Sequence, residues 1–267
     1  MTLQGSLSDD YIKDGMLYCG KCNTPKQIRL SVFGGPERIV SCLCECGMKE
    51  REKEREERER EDRRRDLERR RDVGFPDDVY RDCNFDKDDL AHPDVTLRCK
   101  GFVEHFDDFY RDGMGLLFYG PVGTGKTFYA SCIANALIDK GYPCLVTNFS
   151  RIINKYQSAY DDRQDYLDAL NRFDLLVIDD LAVERDTDYV NEIVQTIIDA
   201  RYRVRKPIIV TTNLTPDELT NPDGVRKQRG YSRLYAMTHP IKVDGADRRR
   251  SELRDRYANM ERLLTGG

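Results

Sequence analysis

Three groups of residues in this chain have the types and spacing to do chemistry: a glycine-rich run at 120–127, a pair of acids at 179–180, and five cysteines between Cys19 and Cys46. Gly120-Pro121-Val122-Gly123-Thr124-Gly125-Lys126-Thr127 follows an apolar stretch, Gly115 to Tyr119. After it, Phe128 to Lys140 repeats apolar and small residues at helical spacing. Strand, glycine loop and helix is the order of a phosphate-binding loop. Glycines let backbone N–H groups close around a phosphate chain, and the helix start adds its partial positive charge. On this reading residues 120–127 bind ATP, Lys126 reaches the β- and γ-phosphates, and the Thr127 hydroxyl ligates Mg²⁺.

The second group completes such a site. Asp174-Leu-Leu-Val-Ile-Asp179-Asp180 is an apolar strand ending in two carboxylates, at the carboxyl edge where open α/β sheets bind ligands. Asp179 is expected to hold Mg²⁺ through water, and Asp180, or else Glu184, to orient or deprotonate an attacking water. Pro207-Ile-Ile-Val-Thr-Thr212-Asn213 is another apolar strand with a polar end. An amide at Asn213 could hydrogen-bond the γ-phosphate or the water, although Thr-Asn by itself is more often a turn signal.

The third group reads as a metal site. Cys19-Gly-Lys-Cys22 is followed by Cys42-Leu-Cys44-Glu-Cys46, two pairs of thiols on tight turns joined by a short hairpin (Gln27 to Val32, Gly34-Gly35, Arg38 to Ser41). That pattern suits a tetrahedral, structural zinc ion held by four thiolates. The expected ligands are Cys19, Cys22, Cys44 and Cys46, with Cys42 as the alternate. A segment this small cannot bury enough apolar surface to fold alone, so metal binding is expected to drive its folding.

These sites need elements to position them. The 267 residues, 39% hydrophobic and 34% charged with a formal net charge of −4, allow one domain of ordinary size and a small attachment. No apolar run reaches the length of a membrane span and the first residues lack an export signal, so a soluble, cytoplasmic protein is expected. Residues 49–72 hold twelve basic and eleven acidic side chains. Acids precede bases by four at Glu54/Arg58, Glu56/Arg60, Glu59/Arg63, Glu61/Arg65 and Asp66/Arg70, which favours a solvated single helix, a spacer without an apolar seam. Gly74-Phe75-Pro76 ends it. Beyond lie an amphipathic helix over Val95 to Tyr110, strands at Cys144 to Thr147, Leu175 to Ile178 and Ile208 to Val210, and helices near Ser150 to Ala159 and Tyr189 to Arg203. The alternation implies an α/β fold with a parallel sheet flanked by helices. The expected division is a zinc module at 1–48, a charged linker at 49–73 and a nucleotide-binding domain at 74–267.

The order of the glycine loop, the acidic strand end and Thr211-Thr212-Asn213 resembles the AAA+ ATPases. Within them, residues 75–250 resemble the helicase loaders of the DnaC/DnaI type and the related IstB transposition helpers, and the cysteine module resembles the amino-terminal zinc domain of DnaI-like loaders. The resemblance implies an AAA+ P-loop domain without a full lid, an ATPase, a replicative helicase as protein partner, single-stranded DNA, and a homo-oligomer when ATP is bound. It implies an arginine finger in Arg229-Gly-Tyr-Ser-Arg233, with Arg233 the choice, and a sensing arginine in Asp247-Arg248-Arg249-Arg250, with Arg249 ahead of Arg248. The helix at 150–159, with Arg151, Lys155, Tyr156 and Tyr160, lies where such proteins contact single strands. Asp180 stands where many AAA+ proteins have Glu, which implies slow hydrolysis. An ATP-using transposition helper acting on duplex DNA and a zinc-dependent adaptor that only binds ATP are the alternatives.

Overall fold

The structure, a computed structural model, describes residues 9–31, 35–181, 187–221 and 225–265. It divides into two units, residues 1–66 and 67–267. The first begins with two antiparallel hairpins, β1 (Tyr11–Lys13) with β2 (Met16–Tyr18) and β3 (Gln27–Leu30) with β4 (Arg38–Ser41). The expected strand end at Val32 and the turn residue Gly34 lie outside the described residues. Ile12, Leu30, Ile39 and Val40 are all exposed, so among the described residues these hairpins gather no apolar core of their own.

Helix α1 runs from Glu45 to Gly74, longer at both ends than the expected spacer, and ion pairs one turn apart line it at Glu45/Lys49, Lys53/Glu57, Arg55/Glu59 and Glu61/Arg65. Its last two turns differ from a solvated spacer. Leu67 packs against the main core, Arg70 donates to the Gly141 carbonyl at 2.8 Å and Arg71 pairs with Asp139. Residues 67–74 of α1 thus go with the second unit.

In the second unit the chain continues through α2 (Asp78–Arg81), α3 (Pro93–Glu104), α4 (Phe106–Asp112), β5 (Gly115–Tyr119), α5 (Lys126–Asp139), β6 (Cys144–Asn148), α6 (Phe149–Ser158), α7 (Arg163–Arg172), β7 (Leu175–Leu181), α8 (Asp188–Arg203), β8 (Ile208–Thr212), α9 (Pro216–Thr220), α10 (Val225–Ala236), β9 (Thr238–Lys242) and α11 (Arg248–Thr265). The helix expected over Val95 to Tyr110 is broken at His105, because Phe102 and Phe106 pack edge to face while the chain turns between α3 and α4. Five strands form one parallel sheet in the order β6-β7-β8-β5-β9. Alternate strand residues face opposite layers, as a period of two requires. Leu116, Phe118, Leu175, Val177 and Ile209 join α3, α4 and α5 in one core, whereas Leu117, Leu176, Ile178, Ile208 and Val210 join α6, α7, α8 and α10 in the other.

One buried cation ties the amino-terminal edge of this sheet. Arg201 on α8 has no exposed surface and donates to the carbonyls of Phe173 at 2.8 Å, Asp174 at 2.8 Å and Pro207 at 2.8 Å, the residues that lead into β7 and β8. Burial lowers its pKa to about 10, so it remains charged at neutral pH. Removing the guanidinium strands three backbone acceptors, each worth about 1–3 kcal/mol. Arg201→Met is expected to lower stability by about 3–5 kcal/mol in urea unfolding followed by circular dichroism, with Arg201→Lys recovering less than half of the loss, since an ammonium cannot span the fork.

Candidate functional site

The glycine loop joins β5 to α5 and bends as its composition predicts. Gly123 has φ of 79°, and a Cβ there would lie 1.9 Å from an Asp247 carboxylate oxygen. Gly125 has φ of 102° and stands immediately before the first turn of α5. The loop, with Asp180, Asn213 and Arg248, lines a cleft of about 650 Å³ whose other wall is Val79, Cys83, Lys87 and Phe128.

Lys126, nearly buried, donates to the carbonyls of Gly120 at 2.8 Å and Pro121 at 2.7 Å and to Asn213 Oδ1 at 2.8 Å. The ends of β5 and β8 thus meet on one ammonium. Thr127 donates to Asp179 Oδ1 at 2.8 Å. With its proton taken by Asp179, the hydroxyl oxygen keeps lone pairs for a hard cation and Asp179 supplies the charge, so the pair fits Mg²⁺.

Asp179 and Asp180 do not simply alternate across the strand. The pairing of β7 with β8 shifts register between Ile178 and Leu181, and Asp180 takes a left-handed backbone with φ of 57°. Its amide donates to Thr211 Oγ1 at 2.9 Å, and that hydroxyl donates to Asp179 Oδ1 at 2.5 Å. This bulge keeps Asp179 buried beside Thr127 and leaves Asp180 exposed on the cleft. Burial pushes the Asp179 carboxyl above its usual range, the Thr211 hydroxyl opposes that, and the charge of Asp180 adds to it. Tyr80 on α2 donates to Asp179 Oδ2 at 3.4 Å, and its own pKa is pushed up to about 12 by burial and by the Asp179 charge.

Other expected residues are placed differently. Glu184 lies outside the described residues. Arg248 reaches the loop: its amide donates to the Gly123 carbonyl at 2.9 Å and its guanidinium pairs with Asp89. Arg249 follows it on α11, and its side chain lies outside what is described. Arg233 on α10 is paired with Asp199 of α8 in its own chain and stacks over Tyr202. On α6, Arg151 pairs with Asp77 at 2.6 Å, while Arg163 of α7 faces the ring of Tyr156 on α6 and that of Tyr160 in the turn after it. Tyr80, Asp89 and the wall formed by Val79, Cys83 and Lys87 had no site role in the sequence reading, and Thr211 had none beyond its place beside Thr212 and Asn213; for Tyr80 and Val79 the mix of aromatic and acidic residues from Val79 to Phe85 was the available signal.

The profile of the IstB-like ATP binding protein family matches residues 53–251. The chain belongs to this family. Among its relatives, the replicative helicase loader DnaI of Bacillus subtilis (strain 168) is 27% identical over 164 residues, 55% of this chain and 53% of the relative. The replicative helicase loader DnaC of Escherichia coli (strain K12) is 26% identical over 155 residues, 55% of this chain and 62% of the relative. The chain thus spans between about half and three fifths of the curated relatives it matches. A crystal structure of the DnaC helicase loader superposes with a TM-score of 0.54 at 25% identity, covering 62% of this chain and 98% of that one. As a member of the IstB-like family the chain has the expected AAA+ P-loop fold, a parallel sheet between helical layers.

In the first unit, Cys19, Cys22, Cys44 and Cys46 place their sulfurs within 4.8 Å of one another, with Cys19 to Cys46 at 3.4 Å and Cys44 to Cys46 at 3.3 Å. A tetrahedral ion with Zn–S bonds of about 2.3 Å needs sulfurs about 3.8 Å apart, so the four fit. The amides of Cys22 and Lys21 hold the Cys19 thiol below its usual pKa. The Thr24 hydroxyl and the Cys46 amide lower Cys22 to about 5. Cys46, sharing its proton with Cys44, Cys19 and Cys22, is pushed up to about 12. Two sulfurs held toward the thiolate form, Cys19 and Cys22, stand beside Cys44 and Cys46, and a divalent cation would offset the repulsion of thiolates gathered this closely. Cys42 lies apart, its thiol facing the Pro25 carbonyl at 3.5 Å. Elemental analysis of the purified protein is expected to find about one zinc per chain, retained in Cys42→Ser and lost, together with the hairpin signal in circular dichroism, in Cys44→Ser.

Proposed function

We propose that the chain is an ATP-dependent DNA replication protein that loads or remodels a replicative helicase on single-stranded DNA, with slow, DNA-regulated ATP hydrolysis. The observation that carries the reading is the contact between Lys126 and Asn213. It joins the phosphate-binding lysine to the strand end that would sense the γ-phosphate, which is what a nucleotide-state switch needs and a passive binding site does not. The relatives named as helicase loaders supply the class of partner.

In this reading the backbone of residues 120–125 cradles the ATP phosphates, and Lys126 exchanges its carbonyl and amide acceptors for phosphate oxygens. Thr127 and Asp179 hold Mg²⁺, which supplies charge neutralisation at the transferred phosphoryl group. Asp180, exposed at the bulge, orients or deprotonates the attacking water, with Glu184 as the other candidate. Asn213 turns from Lys126 toward the γ-phosphate or the water. The sensing arginine comes from the start of α11, where Arg248 already touches the loop and Arg249 is the neighbouring choice. Arg233 acts on a second copy's ATP once it leaves Asp199, so hydrolysis reports assembly of a homo-oligomer. The zinc module contacts the helicase, and the protein acts in the cytoplasm; among the described residues no helix is long and apolar enough to cross a membrane.

ATP hydrolysis measured alone, with single-stranded and with duplex DNA is expected to rise with single strands, and to fall at least about tenfold in Lys126→Ala and in Arg233→Ala. Preference for duplex would favour a transposition helper. ATP binding with no turnover under any condition would leave an adaptor.

A further inference from the structure

The short helix α2 lies between the two places where ligands are proposed to bind. On one side, Asp77, the residue before α2, pairs with Arg151 of α6 at 2.6 Å, and both line a groove of about 380 Å³ with Asn148, Asn154 and Lys155. On the other side, Tyr80 donates to Asp179 Oδ2 at 3.4 Å, while Asp179 Oδ1 serves Thr127 and Thr211. Asn148 caps α6 by accepting from the Arg151 amide at 2.8 Å and pairs in register with Asp179 across β6 and β7. Asn135 of α5 donates to the carbonyls of Tyr80 at 3.1 Å and Cys83 at 2.7 Å, so α2 is pinned at its carboxyl end and not at Asp77.

We infer that Tyr80 is a positioning residue for Asp179, and that the Asp77–Arg151 pair couples occupancy of the α6 groove by single-stranded DNA to the metal-binding carboxylate. The inference rests on the proposed function, with its single-stranded DNA placed at α6, where the resemblance to the loaders implies contact. A phosphate in the groove competes with Asp77 for the Arg151 guanidinium, since both are anions seeking the same fork of donors. Without that tether, the Asp77 end of α2 moves while Asn135 holds its backbone, and the Tyr80 hydroxyl leaves Asp179 Oδ2. The carboxylate then has its second oxygen free for the hydrated cation. The direction follows: single strands tighten binding of Mg²⁺-ATP, and by reciprocity Mg²⁺-ATP tightens binding of single strands by the same factor.

The test measures the affinity of a fluorescent ATP analogue with and without oligo(dT), in Mg²⁺ and in EDTA, and the affinity of labelled oligo(dT) by anisotropy, for the wild type, Asp77→Asn and Tyr80→Phe. Oligo(dT) is expected to tighten nucleotide binding about fivefold or more in Mg²⁺ and to have no effect in EDTA, where Asp179 has no cation to hold. Both variants are expected to start from the tighter affinity and to respond to oligo(dT) by less than about twofold; Tyr80→Phe keeps the ring packing and so the fold. If the wild type binds oligo(dT) but shows no coupling, a coupling that survives EDTA, or one that both variants keep, this inference is overturned while the proposed function stands. If the wild type does not bind oligo(dT), both fall.

Discussion

The geometry of the nucleotide cleft depends on one hydroxyl. Thr211 Oγ1 accepts the amide of Asp180 and donates to the carboxylate of Asp179, in place of a regular ladder bond between β7 and β8. In an unbroken strand, neighbouring side chains face opposite layers, and the pair of acids would be split between the two helical layers. The bulge instead buries the first acid beside Thr127 and turns the second into the cleft. Its cost is a left-handed backbone at a residue with a side chain, about 1–2 kcal/mol, and aspartate is among the few side chains that tolerate it. Thr212 secures the same bulge by donating to the Leu181 carbonyl at 3.0 Å.

The opposite edge of the sheet is held by different chemistry. At the carboxyl edge the chain gathers acids and hydroxyls around space for a ligand. At the amino edge it seats a fully buried arginine among backbone carbonyls, with Lys206 donating to the Asp174 carboxylate at 3.1 Å beside it. A guanidinium has several donors in a fixed plane and carbonyls are acceptors without charge, so the penalty of burying Arg201 is met mainly by hydrogen bonds, with the nearby Asp174 charge adding to them. The strands therefore enter the sheet from a fixed position, and their far ends, where the bulge forms, can be strained without the register slipping.

What the sequence revealed and what it hid divide along the same line. The glycine loop, the acidic strand end and the cysteine pairs are local patterns whose chemistry demands fixed spacing, and each was legible. The sequence favours Cys44 and Cys46 but leaves Cys42 as an alternate, since both Cys42 and Cys44 lie close enough to pair with Cys46, and the positions of the sulfurs in three dimensions group the favoured four. Tyr80, Thr211 and Arg201 act on residues far away in the chain, Tyr80 on a carboxylate 99 positions later, and no periodicity announces such contacts. The break at His105 was hidden because apolar residues on both sides continue the helical pattern. The end of α1 was hidden because the charge run that looks solvated includes Arg70 and Arg71, whose partners, Gly141 and Asp139, lie just past and at the end of α5. Strand β9 was missed because His239-Pro240 interrupts its apolar pattern; at the sheet edge a proline costs no essential ladder donor.

The cations of the cleft already have partners within the chain, and this decides where ligand binding is felt. Arg248 pairs with Asp89 with both side chains partly in water, a kind of pair worth about 0–1 kcal/mol, so it yields easily. Lys126 is nearly buried, and its hydrogen bonds to two carbonyls and an amide, each with a charged donor, are worth about 1.5–3 kcal/mol apiece. A phosphate chain entering the loop must replace these, and its affinity is the difference between what it offers the ammonium and what the ammonium gives up. The carbonyls of Gly120 and Pro121 belong to the loop and cannot go far. Asn213 is a side chain on another strand and can turn. Loss of its bond to Lys126 is thus the change most readily passed from the loop to β8, and from there, through Thr212 and Thr211, to the bulge that holds both acids.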